Sequence, residues 1–232
     1  MKKALFSALA VSTLFVLFGC NNRAETQILQ PTQNEELKPM QQSWRGVLPC
    51  ADCEGIETSL FLEKDGTWVM NQRYQGAKEP SSFARYGTWA RTAEKLVLTD
   101  TTGDKTWFRP KGDSMEMLDI EGNPIASQFN YTLAPVKAAL PATPMPMRGM
   151  YFYMADAAIF TDCATNKKVS VANNAQLERD YAVARGNNTK PVLLTLNGHY
   201  TLEPNPDSGE MVKTLVVDKE ATFIVGKDCS SQ

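Results

Sequence analysis

The sequence predicts an all-β protein made of two small barrels in series, the second interrupted by one short helix. Three observations carry this. From residue 44 to 134 apolar and polar residues alternate in short runs, and turn residues break them roughly every ten positions. A proline-rich stretch, PVKAALPATPMPM at 135–147, then interrupts the pattern. Beyond it, one segment alone, NNAQLERDYAVARG at 173–186, repeats its apolar residues at helical spacing.

The chain opens MKKALFSALAVSTLFVLFGCNN. Lys2 and Lys3 form a basic start, and the apolar run at 4–18 is too short for a stable bilayer anchor. It ends in Leu17-Phe18-Gly19-Cys20, which reads as a lipobox. Gly19 leaves room for cleavage before Cys20, whose thiol and freed amine can both be acylated; Phe18 is bulkier than the small residue usual at its position. The expectation is a leader at 1–19 and a lipid-bearing Cys20. Each buried acyl methylene adds about 0.8 kcal/mol, so several chains on one residue anchor without spanning. Asn21, where an aspartate would direct retention in the inner membrane, predicts outer-membrane sorting by the rule for bacterial lipoproteins. Residues 20–42 are polar, with Pro31 and Pro39, and read as a flexible tether.

The first barrel is predicted over 43–134. IETSLFLEKDGTWVMNQRY alternates around a Lys64-Asp65-Gly66 turn, a hairpin signal. SSFARYGTWARTAEKLVLTD supplies two more strands. TTGDKTWFRPKGDSMEMLDIEGNPI supplies two or three, broken at Thr102-Gly103-Asp104 and Lys111-Gly112-Asp113, and NYTLAPV supplies a last one. Such a meander closes most simply into a barrel. Gly66-Thr67-Trp68 and Gly87-Thr88-Trp89 look like a repeated unit of turn glycine, strand start and large apolar residue.

Residues 135–146 are taken as a semi-rigid linker that no regular element should cross, because four prolines remove amide donors. The second barrel is predicted over 147–232. Residues 151–160 read as one strand, TDCATNKK as a turn and 169–172 as the return. In the helix, Leu177, Tyr181 and Ala184 share a face, Asn173 with Gln176 offers a capping box, and Gly186 is placed to end it. Strands resume at KPVLLTLNGHYTLEP and MVKTLVVDKEATFIV. Five strands with one helix between them suggest an OB-like barrel.

Composition narrows function. Formal net charge is −2, no basic run exceeds two residues, and nucleic acid is therefore not an expected partner. There is no G-x-S-x-G and no phosphate loop, so no enzyme is expected. His199 is the single histidine, which precludes a His-based metal site; it reads as a strand-start residue after a turn glycine.

With Cys20 acylated, four cysteines remain, an even count that suits two disulfides in an oxidising compartment and allows three pairings. Sequence position favours Cys50 with Cys53 and Cys163 with Cys229. The Cys50-Ala51-Asp52-Cys53 motif carries three readings. It precedes strands and not a helix, and Asp52 adds negative charge, both against a thioredoxin-like catalyst. A staple at the barrel entrance is one alternative. A redox-sensing or soft-metal site is the other, since two thiolates suit Cu(I). Met145, Met147, Met150 and Met154, with Met115 and Met117, could add thioethers, although methionine fills cores by default. Joining Cys163 to Cys229 would close a long loop, for which chain entropy predicts roughly 4 kcal/mol, and could report on oxidative folding.

Together, the lipobox at 17–20, WRGVLPCADCEGIETSLFL, YGTWAR…LVLTD, MRGMYFYMADAAIFTDCATNK and the terminal KDCSSQ closely resemble the NlpE family, also called CutF or copper homeostasis proteins. The resemblance spans essentially the whole chain. It implies a lipocalin-like first barrel and an OB-fold second domain. It further implies an outer-membrane lipoprotein facing the periplasm that activates the Cpx envelope-stress pathway through its inner-membrane sensor histidine kinase, with links to surface sensing, adhesion and copper tolerance. Partners implied are that kinase, the lipoprotein sorting machinery and the membrane, with a homodimer left open. Cys20 matches the lipid acceptor, Cys50 and Cys53 the family CxxC, and Cys163 and Cys229 its C-terminal disulfide. When export fails, retention at the inner membrane would bring the first barrel to the kinase. The rival reading is a Cu(I)-binding lipoprotein using the CxxC and methionines without direct signalling; a purely structural surface lipoprotein is the third.

Overall fold

A computed structural model of the chain describes residues 42–76, 81–172, 175–205 and 208–231. Eight strands form the first barrel: β1 (Ser43–Leu48), β2 (Gly55–Leu62), β3 (Thr67–Gln75), β4 (Ser82–Arg91), β5 (Leu96–Asp100), β6 (Lys105–Lys111), β7 (Ser114–Met117) and β8 (Thr132–Val136). Each pairs antiparallel with the next, and β1 closes the ring on β8 through Ser43, Trp44 and Arg45 opposite Val136, Pro135 and Ala134. Strand alternation sends Leu60, Leu62, Trp68, Met70, Leu96 and Leu98 inward, where they pack with Trp44, Phe108, Met115 and Leu133. Polar ring atoms at the core margin find backbone acceptors: Trp68 Nε1 donates to the Thr88 carbonyl at 3.0 Å, and Trp89 Nε1 to that of Glu63 at 3.0 Å.

The two Gly-Thr-Trp units are not alike. Gly66 sits in the β2–β3 turn with φ +85°. Gly87 lies inside β4 opposite Asp100, where an added Cβ would stand 2.0 Å from the Thr99 carbonyl oxygen. It is a close-approach glycine, not a turn glycine.

The second barrel comprises β9 (Met145–Met154), β10 (Ala157–Asp162), β11 (Lys168–Ala172), the helix α1 (Ala175–Arg185), β12 (Val192–Pro204) and β13 (Met211–Ile224). Its closed order, β10-β11-β13-β12-β9, includes a parallel β11–β13 pairing, with the helix between its third and fourth strands. This is the OB arrangement. Leu177 and Tyr181 bury the helix's inner face; the Tyr181 ring meets Tyr151 edge-on at 5.3 Å. The Asn173 capping position lies outside the described residues.

Two expectations need correction. The stretch 151–160 is not one strand: Ala155 and Asp156 adopt φ of 51° and 61°, making a tight hairpin between β9 and β10. Two successive left-handed residues are what a two-residue hairpin requires, but Ala-Asp lacks the usual Asn-Gly signal. The proline-rich segment is also shorter than expected, because β8 runs through Pro135 to Val136 and β9 starts at Met145. Both prolines sit where one neighbouring strand has already ended: β7 reaches only to Leu133, and β10 pairs no earlier than Gly149. A missing amide is tolerated there. Residues 137–144 remain irregular, and Ala138 and Leu140 pack on the second barrel's core.

Candidate functional site

Cys50 and Cys53 lie in the loop joining β1 to β2 and are disulfide-bonded. The motif opens onto a strand, Asp52 is exposed, and neither sulfur carries a thiolate in this state. Strand register puts this loop at the end of the barrel opposite the β2–β3 turn. Large apolar side chains stand exposed at the same end: Val47, Tyr74, Phe83 and Phe129. Tyr74 and Phe83 contact each other edge-on at 5.9 Å, and Asn130, next to Phe129, donates to the Val47 carbonyl.

The methionines do not gather at the CxxC. Met145 and Met147 are buried in the second core, Met115 is buried in the first with Met117 packed against it, and Met154 is exposed at the end of β9. Among the described residues no three His, Cys, Asp or Glu side chains assemble around a common metal position. A Cu(I) site at Cys50 and Cys53 would therefore require reduction and would draw its sulfur from the two thiolates. His199 is also not a strand start: it lies within β12, opposite Val216, with Nδ1 2.8 Å from Asp218 Oδ2.

The second disulfide joins Cys163, in the β10–β11 turn, to Cys229 after β13. Arg148 Nη2 donates to the carbonyls of Asp228 at 3.0 Å and of Ser231, tying down the same tail. A cavity of about 620 Å³ opens beside the bond, lined by Tyr86, Thr101, Met147 and Arg148 with both cysteines. Asp162, one residue before Cys163, is 1% exposed. Its Oδ1 accepts from the amides of Ala164 and Thr165 and the Thr165 hydroxyl, while Oδ2 accepts from Tyr86 Oη of the first barrel at 2.6 Å. Burial, then the Asp162 charge, pushes the Tyr86 hydroxyl far above its ordinary pKa, so it remains a donor.

A second polar contact joins the barrels. Lys213 Nζ, on β13, donates to Glu63 Oε2 at 2.8 Å, Asp65 Oδ2 at 2.7 Å and Thr67 Oγ1 at 2.7 Å, all from the β2–β3 turn. The same ammonium lies 5.0 Å from the Tyr200 ring centroid. Burial raises the Glu63 carboxyl's pKa despite Lys213. Desolvation also acts upward on Asp65, but Lys213 and the Thr67 bonds outweigh it and leave that carboxyl lowered. Around these contacts Phe61, Val69, Ala84 and Tyr86 of the first barrel join the second core. Sequence reasoning missed this face. Its trace was the TSLFL run that ends β2, in which all five residues, Thr58 to Leu62, are buried. Such a run marks a strand covered on both sides.

Comparison with known proteins follows the same division. The NlpE N-terminal domain model matches residues 44–128, and the NlpE C-terminal OB domain model matches 141–230. Lipoprotein NlpE of Escherichia coli (strain K12) is 68% identical over 232 residues, which are 100% of this chain and 98% of that protein. The chain belongs to the NlpE family. NlpE-family structures include one described as that of the Cpx pathway activator NlpE from Escherichia coli, 68% identical, covering 84% of this chain and 100% of that one, with a TM-score of 0.42. A further solved structure, from Shewanella oneidensis, is 31% identical over 41% of this chain and 88% of its own, with a TM-score of 0.35. The NlpE-family match accounts for both barrels and for the lipoprotein character read from the lipobox; Cys20 itself lies outside the described residues.

Proposed function

We propose that this protein is an envelope-stress sensor: an outer-membrane lipoprotein, acylated at Cys20 and facing the periplasm, that activates the Cpx pathway by engaging the periplasmic part of its inner-membrane sensor histidine kinase. The observation that carries this is 68% identity, end to end, with lipoprotein NlpE of Escherichia coli. In this reading the lipoprotein sorting machinery carries the protein outward. Failed export leaves it at the inner membrane, within reach of the kinase. The first barrel is the signalling part. The exposed Val47, Tyr74, Phe83 and Phe129 at one end of that barrel, Tyr74 and Phe83 in mutual contact, support that assignment, since exposed apolar patches favour protein contacts. The test is Asn21→Asp in the lipidated full chain. It should shift the protein to the inner membrane and raise a Cpx reporter. Inner-membrane residence with no rise in output would overturn the reading.

A second reading concerns copper. A bond between residues three apart closes a very small loop, worth about 2 kcal/mol of chain entropy against about 4 for the Cys163–Cys229 loop of 66. Stapling is thus the weaker rationale for Cys50–Cys53, and Cu(I) capture by the reduced thiols the stronger. Anaerobic Cu(I) titration should show tighter binding to the reduced chain than to its Cys50→Ser, Cys53→Ser variant; equal affinities would remove the motif from any copper role.

A further inference from the structure

We propose that the second barrel carries a binding site for an acidic turn, centred on Lys213 and Tyr200, and that the β2–β3 turn of the first barrel fills it as an intramolecular ligand.

An ammonium group has three donors in a fixed spread. Lys213 spends all three on one turn of the other barrel, within 2.8 Å of each acceptor. The turn is shaped to receive it. The Thr67 amide and hydroxyl both donate to Asp65 Oδ1, at 2.9 and 2.6 Å, which leaves Asp65 Oδ2 and the Thr67 lone pairs for Lys213. Gly66, with φ +85°, permits the tight reversal that aligns Glu63, Asp65 and Thr67.

Burial separates this contact from an ordinary surface pair. A carboxylate at a hairpin turn is normally solvated, yet Glu63 is 6% exposed and the Lys213 side chain 10%. Glu63 Oε1 has no hydrogen-bond partner among the described residues. The second barrel's cover imposes that cost, and the Lys213 ion pair on Oε2 offsets it. Charges of this kind, once paired, are strongly disfavoured when one partner is deleted. The pairing also supplies specificity: an apolar or basic turn placed here would strand the ammonium. Beside it, Lys168, Ser170 and Asn205 line a cavity of about 340 Å³ together with Glu63 and Lys213. The elements involved, β11, β13 and the β12–β13 connection, include the loop between the last two strands, a region through which OB barrels bind ligands. Here the ligand is a segment of protein. While it is seated, the Phe61, Val69 and Tyr86 face of the first barrel is closed to any other partner.

The test uses the full mature chain in detergent. Ala138 and Leu140 pack on the second core, so tryptic cleavage after Lys137, read by mass spectrometry, reports separation of the barrels. Lys213→Met should raise that cleavage by about tenfold, as should Glu63→Gln with Asp65→Asn. The exchanged pair, Asp65→Lys with Lys213→Asp, should restore protection relative to either single change. If Lys213→Met unfolds the second barrel, the exchanged pair decides: no rescue overturns the site, and so does wild-type cleavage in folded Lys213→Met. A labelled cyclic peptide carrying residues 63–67 supplies the direct probe. It should bind the Glu63→Gln, Asp65→Asn chain and not the wild type, whose site is filled. Equal binding of the acidic peptide and its Gln/Asn counterpart, or binding of neither, overturns the proposal.

Discussion

Gly87 shows how one residue can hold two strands at a fixed separation. Its Cβ would lie 2.0 Å from the Thr99 carbonyl oxygen and 2.8 Å from Asp100 Cα, both backbone atoms that cannot swing aside. Gly87→Ala is therefore expected to destabilise the first barrel by about 1–3 kcal/mol, the typical range for overpacking. Urea unfolding followed by tryptophan fluorescence would measure it; an unchanged midpoint would show that β4 and β5 part freely. Tyr86 and Asp162 make the complementary point. Neither residue type announces an interface. Their 2.6 Å bond across 76 positions makes them a buried polar contact of the junction beside the second disulfide.

Among the elements, the β5–β6 turn contributes acid sensitivity. At the β5–β6 turn, Asp100 Oδ1 accepts from the Thr102 hydroxyl and from the amides of Thr102 and Asp104. Desolvation acts to raise this carboxyl, but those bonds and Arg85 together hold it below its ordinary value of 3.8. The sign follows: the folded state favours the ionised form, so the contribution is complete above pH 3.8 and is lost as pH falls through the depressed folded value. Asp100→Asn should lower stability at neutral pH and converge with the wild type in acid, as seen in thermal melts across pH. Parallel melting curves at every pH would remove Asp100 from the acid limb. The β9–β10 hairpin shows the other side of turn chemistry. Ala155 and Asp156 take left-handed torsions without glycine, so the strand pairing must impose them on the turn.

For the whole molecule, the prediction concerns the second disulfide. It spans 66 residues, brackets the second barrel and adjoins Asp162, the residue that grips Tyr86 of the first. Cys163→Ser should lower the second barrel's stability by up to about 4 kcal/mol, the chain-entropy value for such a loop. It should also loosen the tail held by Arg148. Under the proposed signalling role, Cpx reporter output should rise with sorting intact, whereas Cys50→Ser, distant from the junction, should not reproduce the gain. Wild-type output from Cys163→Ser at equal protein level, with earlier melting, would reduce the bond to a staple.

Most strands and turns, the helix and the division into two barrels were legible in the residue pattern, because strand alternation, helical period and turn residues act over a few positions. By position it also favoured Cys50 with Cys53 and Cys163 with Cys229, the two bonds that the structure shows. The 155–156 hairpin escaped it because ordinary residues there are forced into left-handed torsions by their strands. The extension of β8 and β9 through Pro135 and Pro146 escaped it because tolerance of proline depends on where a neighbouring strand ends. The contacts of Glu63, Asp65, Tyr86, Asp162 and Lys213 arise only in the folded molecule. Each of these residues reads locally as a solvated turn or strand residue. Only closure of two barrels brings Lys213 to a turn 146 positions away, where exclusion of water turns ordinary side chains into a selective contact.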